Sequence, residues 1–155
     1  MSLESQASVV FEEEQRFRQP WLWVLFVAVL AIVMATKPPP LLSVLILVFF
    51  LAFPVFFWRL MMRTEVSTDS ILIRFWPVKK TIPLAEIRSA EARTYSPMGE
   101  YLGWGIKRGP SGRAYNVSGN RGVQLELQSG ERILIGSQRT DDLADAIRSE
   151  MGRIR

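Results

Sequence analysis

Trp21-Leu-Trp-Val-Leu-Phe-Val-Ala-Val-Leu-Ala-Ile-Val-Met-Ala-Thr36 carries no charge in sixteen positions, and Leu41 to Trp58 follows with eighteen residues that are apolar except for Ser43. Only Lys37-Pro38-Pro39-Pro40 separates the two runs. At ~1.5 Å per residue, helices over them would measure about 24 and 27 Å, slightly short of a ~30 Å hydrocarbon core. Flanking groups can make up the difference: Trp21, Trp23 and Trp58 suit the headgroup layer, and Arg18, Arg59 and Arg63 can extend towards it. Runs that are hydrophobic all round leave no polar face for water. The region before the first run is acidic and no Ala-x-Ala site follows it, which argues against a cleaved leader. The expectation is a transmembrane hairpin over residues 20–60, with spans at about 21–36 and 41–58, preceded by a segment over 1–19. Basic residues cluster on the flanks rather than in the short connection, so both termini are expected in the cytoplasm and the chain in the cell membrane.

Outward from the hairpin the texture changes. The chain has 155 residues and a formal charge of +4. Cysteine and histidine are both missing, which removes disulfides, thiolate chemistry, the commonest metal ligand and the usual general base near neutral pH. Residues 59–155 hold sixteen bases against eleven acids. That balance reads first as orientation bias and solubility, and second as a preference for anionic lipid.

From Thr64 the pattern is that of short strands. Thr64–Thr68 alternates, Asp69-Ser70 turns, and Ile71–Trp76 is a strong β run. Thr81–Pro83 ends at an edge or a break, because proline gives the ladder no donor. Part of Glu86–Tyr95 reads as strand. Gly105–Lys107 and Ala114–Val117 are short extended pieces around Gly109-Pro110-Ser111-Gly112. Val123–Leu127 and Arg132–Ile135 form the clearest hairpin, turning at Ser129-Gly130. A terminal helix follows, with Thr140 as its cap, Asp141 and Asp142 in the first turn, and Leu143, Ile147 and Met151 on one face.

This order over 64–152 resembles the pleckstrin-homology-like barrel, seven strands closed at one end by a final helix. The whole chain is similar to a small, uncharacterised prokaryotic family of two-span membrane proteins carrying such a domain. The stretches that carry the likeness are Phe11-Glu-Glu-Glu-Gln-Arg-Phe-Arg-Gln-Pro-Trp21, Gly103-Trp-Gly-Ile-Lys107, Ala114-Tyr-Asn-Val-Ser-Gly119, Gly122-Val-Gln-Leu-Glu-Leu127 and Ile133-Leu-Ile-Gly-Ser-Gln138. The resemblance implies an α+β chain: a two-helix transmembrane hairpin, then a cytoplasmic barrel capped by a C-terminal helix. It implies no catalytic residues. Inositol-phosphate binding between the first two barrel strands is disfavoured, since that connection is the short, acidic Asp69-Ser70.

Candidate sites are few. Gly103-x-Gly105-x-x-x-Gly109 misses the dinucleotide spacing by one residue and has no strand–helix–strand context. Its glycines read as turn and bulge formers. Tyr95, Tyr101, Trp104 and Tyr115 with Lys107, Arg108 and Arg113 are a possible contact patch, in which Trp104 and Tyr115 read as core and Tyr101 as surface. Lys79 and Lys80 at a hairpin tip suit anionic lipid, or merely keep a turn soluble. Glu12-Glu13-Glu14 reads as an exposed segment, with docking against the basic domain as the alternative. Asn116-Val117-Ser118 matches a glycosylation sequon that a cytoplasmic location makes meaningless. Glu86, Glu91, Glu100 and Glu126 are scattered and assemble no acid–base pair by spacing.

The expected role is a membrane-anchored, non-enzymatic binding or scaffold module docking partner proteins at the cytoplasmic membrane face. Anionic-lipid sensing is the alternative. The expected partners are the lipid bilayer and other membrane proteins, with no nucleic acid, metal or cofactor; the sequence leaves the oligomeric state open.

Overall fold

The computed structural model describes residues 8–17, 20–59 and 61–154, the side chains of 57–59 excepted. The chain divides into two compact units: residues 17–60, and the segments 1–16 and 61–155 together. In the first unit, α1 (Pro20–Ala35) and α2 (Pro40–Arg59) are joined by a short turn in which Lys37 adopts φ 51°. Pro20 and Pro40 open their helices at the position where a missing N–H costs nothing. Phe26 stacks on Phe53 with centroids 4.8 Å apart and lies 4.3 Å from Phe50. No residue of α1 is buried. That follows from an apolar composition spread round the whole helix, which no single partner helix can cover.

Two membrane spans were expected here, and the structure corrects this. Among the described residues, no helix is long and apolar enough to cross a membrane. α1 stops at Ala35, after 16 residues. At ~1.5 Å per residue that is about 24 Å, against the ~20 residues a span needs. In α2 the part with described side chains covers 40–56 and includes Pro54. The expected placement in the cell membrane with cytoplasmic termini loses its basis with the spans. Of the proposed interface anchors, Trp21 is exposed and Trp23 half-buried on α1. Arg18 and the side chains of Trp58 and Arg59 lie outside the described residues.

Among the described residues the second unit contains nine strands. β1 (Val9–Arg16), β2 (Met61–Ser67), β3 (Ser70–Phe75) and β4 (Val78–Pro83) form one antiparallel sheet in chain order. A single 3-10 turn, Leu84–Glu86, leads to the other sheet. That sheet comprises β5 (Ile87–Thr94), β6 (Gly105–Gly109), β7 (Gly112–Asn116), β8 (Arg121–Leu127) and β9 (Arg132–Gly136), in the order β5-β8-β9-β7-β6. A short helix, α3 (Pro97–Tyr101), interrupts the sequence between β5 and β6, and α4 (Thr140–Ile154) ends it.

The expected seven-stranded pleckstrin-like barrel is therefore not the fold. The architecture is α+β with two separate sheets of four and five strands, and among the described residues no ladder closes them into a barrel. Two local causes are visible. Pro83 ends β4, and the 3-10 turn after it breaks the continuity that would pair β4 with β5. Further on, β7 pairs with β9 in parallel, Ala114 opposite Leu134, so the second sheet is not a simple meander.

β1 was not anticipated as a strand. It alternates exposed and buried, and Phe11, Glu13 and Gln15 face inwards. Glu13 accepts a hydrogen bond from the Ser137 hydroxyl and another from the Gln138 backbone N–H at 2.9 Å. Gln15 Nε2 donates to Gly136 O at 2.8 Å. So the acidic triplet docks through its middle residue, while Glu12 stays outside in an ion pair with Arg63. α4 packs on both sheets, touching β1, β2, β5 and β8. Its Leu143, Ile147 and Met151 are buried. Thr140 starts α4, but its hydroxyl donates to Ser137 O at 2.8 Å rather than accepting a helical N–H.

Removing the buried acceptor should show in stability. Glu13→Ala strands two donors in a site 8 % exposed, and the expected loss is about 1–3 kcal/mol. Glu12→Ala breaks only a surface pair and should cost less than about 1 kcal/mol. Urea unfolding of both variants checks the difference; equal midpoints would contradict it.

Candidate functional site

Strand register places one face of the five-stranded sheet in view. Glu91, Gln124, Leu134, Ala114 and Lys107 form one row across all five strands. Ser89, Glu126 and Arg132 form the next row, and Arg93 lies two residues along from Glu91 on the same side. α3 folds over part of this face. Ser96 caps it by accepting from Gly99 N at 3.1 Å, and Pro97 supplies the first helical φ. α3 can come close because β6 has a glycine at 109: a Cβ there would sit 2.1 Å from the Glu100 carbonyl oxygen. Tyr101 is thereby pressed into a small apolar cluster with Tyr95, Ala114 and Leu134, its ring 6.0 Å from that of Tyr95 and nearly perpendicular to it.

Glu100, next to Tyr101, is the centre of a polar clamp. Arg93 Nη2 is 2.8 Å from Glu100 Oε2. Glu100 also accepts from Ser96 N at 3.0 Å and from the Ser111 hydroxyl at 3.1 Å. Arg93 Nε donates to Gln124 Oε1 at 3.1 Å. The Arg93 hydrogen bond holds the Glu100 carboxyl below the usual carboxylate range, against the opposing effect of burial, and the same bond raises Arg93. Burial pushes the phenols of Tyr95 and Tyr101 up. Every one of these shifts moves a group away from neutral pH. Around neutral pH the clamp therefore keeps Arg93 and Glu100 charged and both phenols protonated.

Beside the clamp is an open polar cavity of about 310 Å³, lined by Ser89, Glu91, Arg93, Ser111, Gln124, Glu126 and Arg132. Arg93 is held by Glu100, and Glu126 lies 3.5 Å from Arg88. Arg132 and Glu91 enter no ion pair among the described residues. No group of three or more acidic residues close enough to hold a metal occurs among the described residues.

The cavity is flanked by the β6–β7 hairpin. Gly105–Asn116 contains Lys107, Arg108 and Arg113 and no carboxylate. Lys107 and Arg108 are exposed; Arg113 is half-buried opposite Arg108, and its hydrogen bond to Tyr115 raises its pKa. The turn between the strands requires Gly112, whose φ is 101° and whose missing Cβ leaves room for Arg132 O.

Three of the residues singled out from sequence, Lys107, Arg108 and Arg113, thus share one hairpin. Tyr101, expected at the surface, is only 2 % exposed. Tyr115 is buried, while Trp104 is half-buried and donates to Gly119 O at 3.0 Å. Lys79 and Lys80 belong to β4 in the other sheet. Arg63 is ion-paired with Glu12 at 2.9 Å and lies 2.8 Å from Glu65, the latter contact outside hydrogen-bond geometry. The clamp gave no sign of itself as a group in the sequence: Glu100 read as one of several scattered carboxylates, Ser111 as part of a turn, and Arg93 and Gln124 as strand positions. Its one readable trace is Ser96-Pro97, the start signal of a helix too short to show periodicity.

The sequence profile of a family of unknown function, DUF6141, matches residues 17–154. No functionally curated protein matches the chain.

Acid should loosen the clamp. A carboxyl with a depressed folded pKa contributes stability that is present above its unfolded pKa and is lost as pH falls through the folded value. Wild-type protein should therefore lose stability below about pH 4.3 more steeply than Glu100→Gln. Denaturation midpoints measured from neutral to acid pH test this, and parallel curves would count against the clamp.

Proposed function

We propose that this chain, which belongs to the DUF6141 family, is a non-enzymatic binding module that docks protein partners on its β6–β7 hairpin and the polar face beside it. The observation carrying this reading is the hairpin itself: three cations, no carboxylate, and a neighbouring cavity with uncommitted Arg132 and Glu91. Among the described residues neither Lys107 nor Arg108 has an ion-pair partner within the chain. Arginine beside apolar and aromatic groups suits protein contacts, since its flat cation gives directed hydrogen bonds at modest desolvation cost. The clamp supports the same reading from the other side. Its groups stay in one charge state around neutral pH, so it rigidifies the surface on which the hairpin stands.

The lipid alternative has weaker support. Arg63, one of its contact residues, already faces Glu12 and Glu65, and Lys79 and Lys80 stand in the other sheet, apart from Lys107 and Arg108.

A photo-reactive amino acid placed at Arg108 should give discrete protein adducts in cells. The same group at Asp145, exposed on α4, should not give them. Lys107→Glu should abolish the Arg108 adducts. Identical adducts from both positions, or adducts indifferent to charge reversal, would contradict the docking reading. Adducts to lipid alone would transfer the function to anionic-lipid recognition.

A further inference from the structure

The two sheets have four edges, and they are not equivalent. β5 is closed off by α4, whose Arg148 Nε donates to Ala90 O at 3.0 Å. β1 is packed against α4 and tied down by Glu13 and Gln15. β4 ends in Pro83, which cannot donate to a further strand. β6 is different. Among the described residues its backbone pairs with β7, Gly105 N reaches the Asn116 side chain, and no other backbone hydrogen bond arrives from outside the hairpin.

Which main-chain groups face outwards follows from the turn. Gly109 and Gly112 flank a two-residue connection, so they form a hydrogen-bonded pair, and pairing alternates from there. Lys107 therefore directs its backbone towards β7, while Ile106 and Arg108 offer theirs to the open side. The side chains alternate too. Ile106 and Arg108 stand on one face with Arg113 opposite Arg108, and Lys107 stands on the face that carries the cavity. Ile106 is 36 % exposed, an apolar β-branched residue between a glycine and two cations. Lysine on an edge guards against indiscriminate pairing. An exposed isoleucine within the same strand works against that purpose and fits selective pairing.

We propose that β6 receives an extended acidic peptide segment of a partner protein as a sixth strand of this sheet. The segment places an apolar residue against Ile106 and carboxylates against Lys107 and Arg108. Main-chain hydrogen bonds to Ile106 and Arg108 supply the pairing, and the cations reject basic or neutral sequences. This rests on the docking reading above and adds to it the class and conformation of the partner.

The probe is a fluorescent, N-acetylated, C-amidated peptide, Thr-Thr-Val-Glu-Glu-Thr-Thr, titrated against the full chain and followed by anisotropy. A version with lysines for the glutamates should not bind. A version N-methylated on alternate amides should bind at least about tenfold more weakly, because it keeps the charges and loses the donors. The pair Lys107→Glu and Arg108→Glu together should weaken the parent peptide by about tenfold or more. Equal binding of the methylated or the lysine peptide overturns the inference. If no peptide binds while adducts at Arg108 persist, strand addition falls and docking stands. If the adducts also vanish, both fall.

Discussion

The joint between β1 and the start of α4 organises the larger unit. Glu13 and Gln15 come from one end of the sequence, and Gly136, Ser137 and Gln138 from the other. Their hydrogen bonds are buried, so each unmade partner would carry its full desolvation cost. That penalty fixes β1 at the edge of the four-stranded sheet although two helices intervene before β2. Arg16 then stands opposite Met61, and the chain leaves and re-enters the unit at adjacent positions. α4, positioned by the same joint, touches both sheets and covers their shared interior.

A second constraint shapes the far sheet. Small residues at Gly109 and Ala114 let α3 lie on the sheet, and Tyr95 and Tyr101 fill the space this creates. Glu100 arrives with Tyr101 and meets Arg93 and Ser111, while Gln124 holds Arg93 from its other side; the partners come from three different parts of the chain. The result is a rigid polar platform beside a cationic hairpin. Recognition surfaces benefit from such support, because side chains already held in place lose less freedom on binding. Within it the bond to Arg93 holds the Glu100 carboxyl down, and burial pushes both phenols up.

Local chemistry made much of the element order readable. A β-rich run at Ile71–Trp76 marked β3 (Ser70–Phe75), alternation marked the Val123–Leu127 hairpin, and the helical spacing of Leu143, Ile147 and Met151 marked α4. β1 was overlooked because Glu12-Glu13-Glu14 looks solvated in a one-dimensional reading; only one of the three turns inwards. The uncharged runs at 21–36 and 41–58 located both helices to within a residue at each end, yet among the described residues no helix is long and apolar enough to cross a membrane. A run without charge marks where a helix lies but does not by itself make a span. Tyr101 was misplaced for a similar reason: a lone tyrosine in a glycine-rich stretch gives no sign of the short helix that buries it.

The sequence by itself determined most of the strands, the terminal helix, the apolar helical pair and the local cluster of Lys107, Arg108 and Arg113, because each depends on residues close together in the chain. Only the tertiary structure decided that the strands form two open sheets, that β7 runs parallel to β9, and that Arg93 meets Glu100 beside an unblocked β6. Those outcomes depend on which distant groups satisfy one another's hydrogen bonds and fill one another's space. Spacing along a chain does not record such choices.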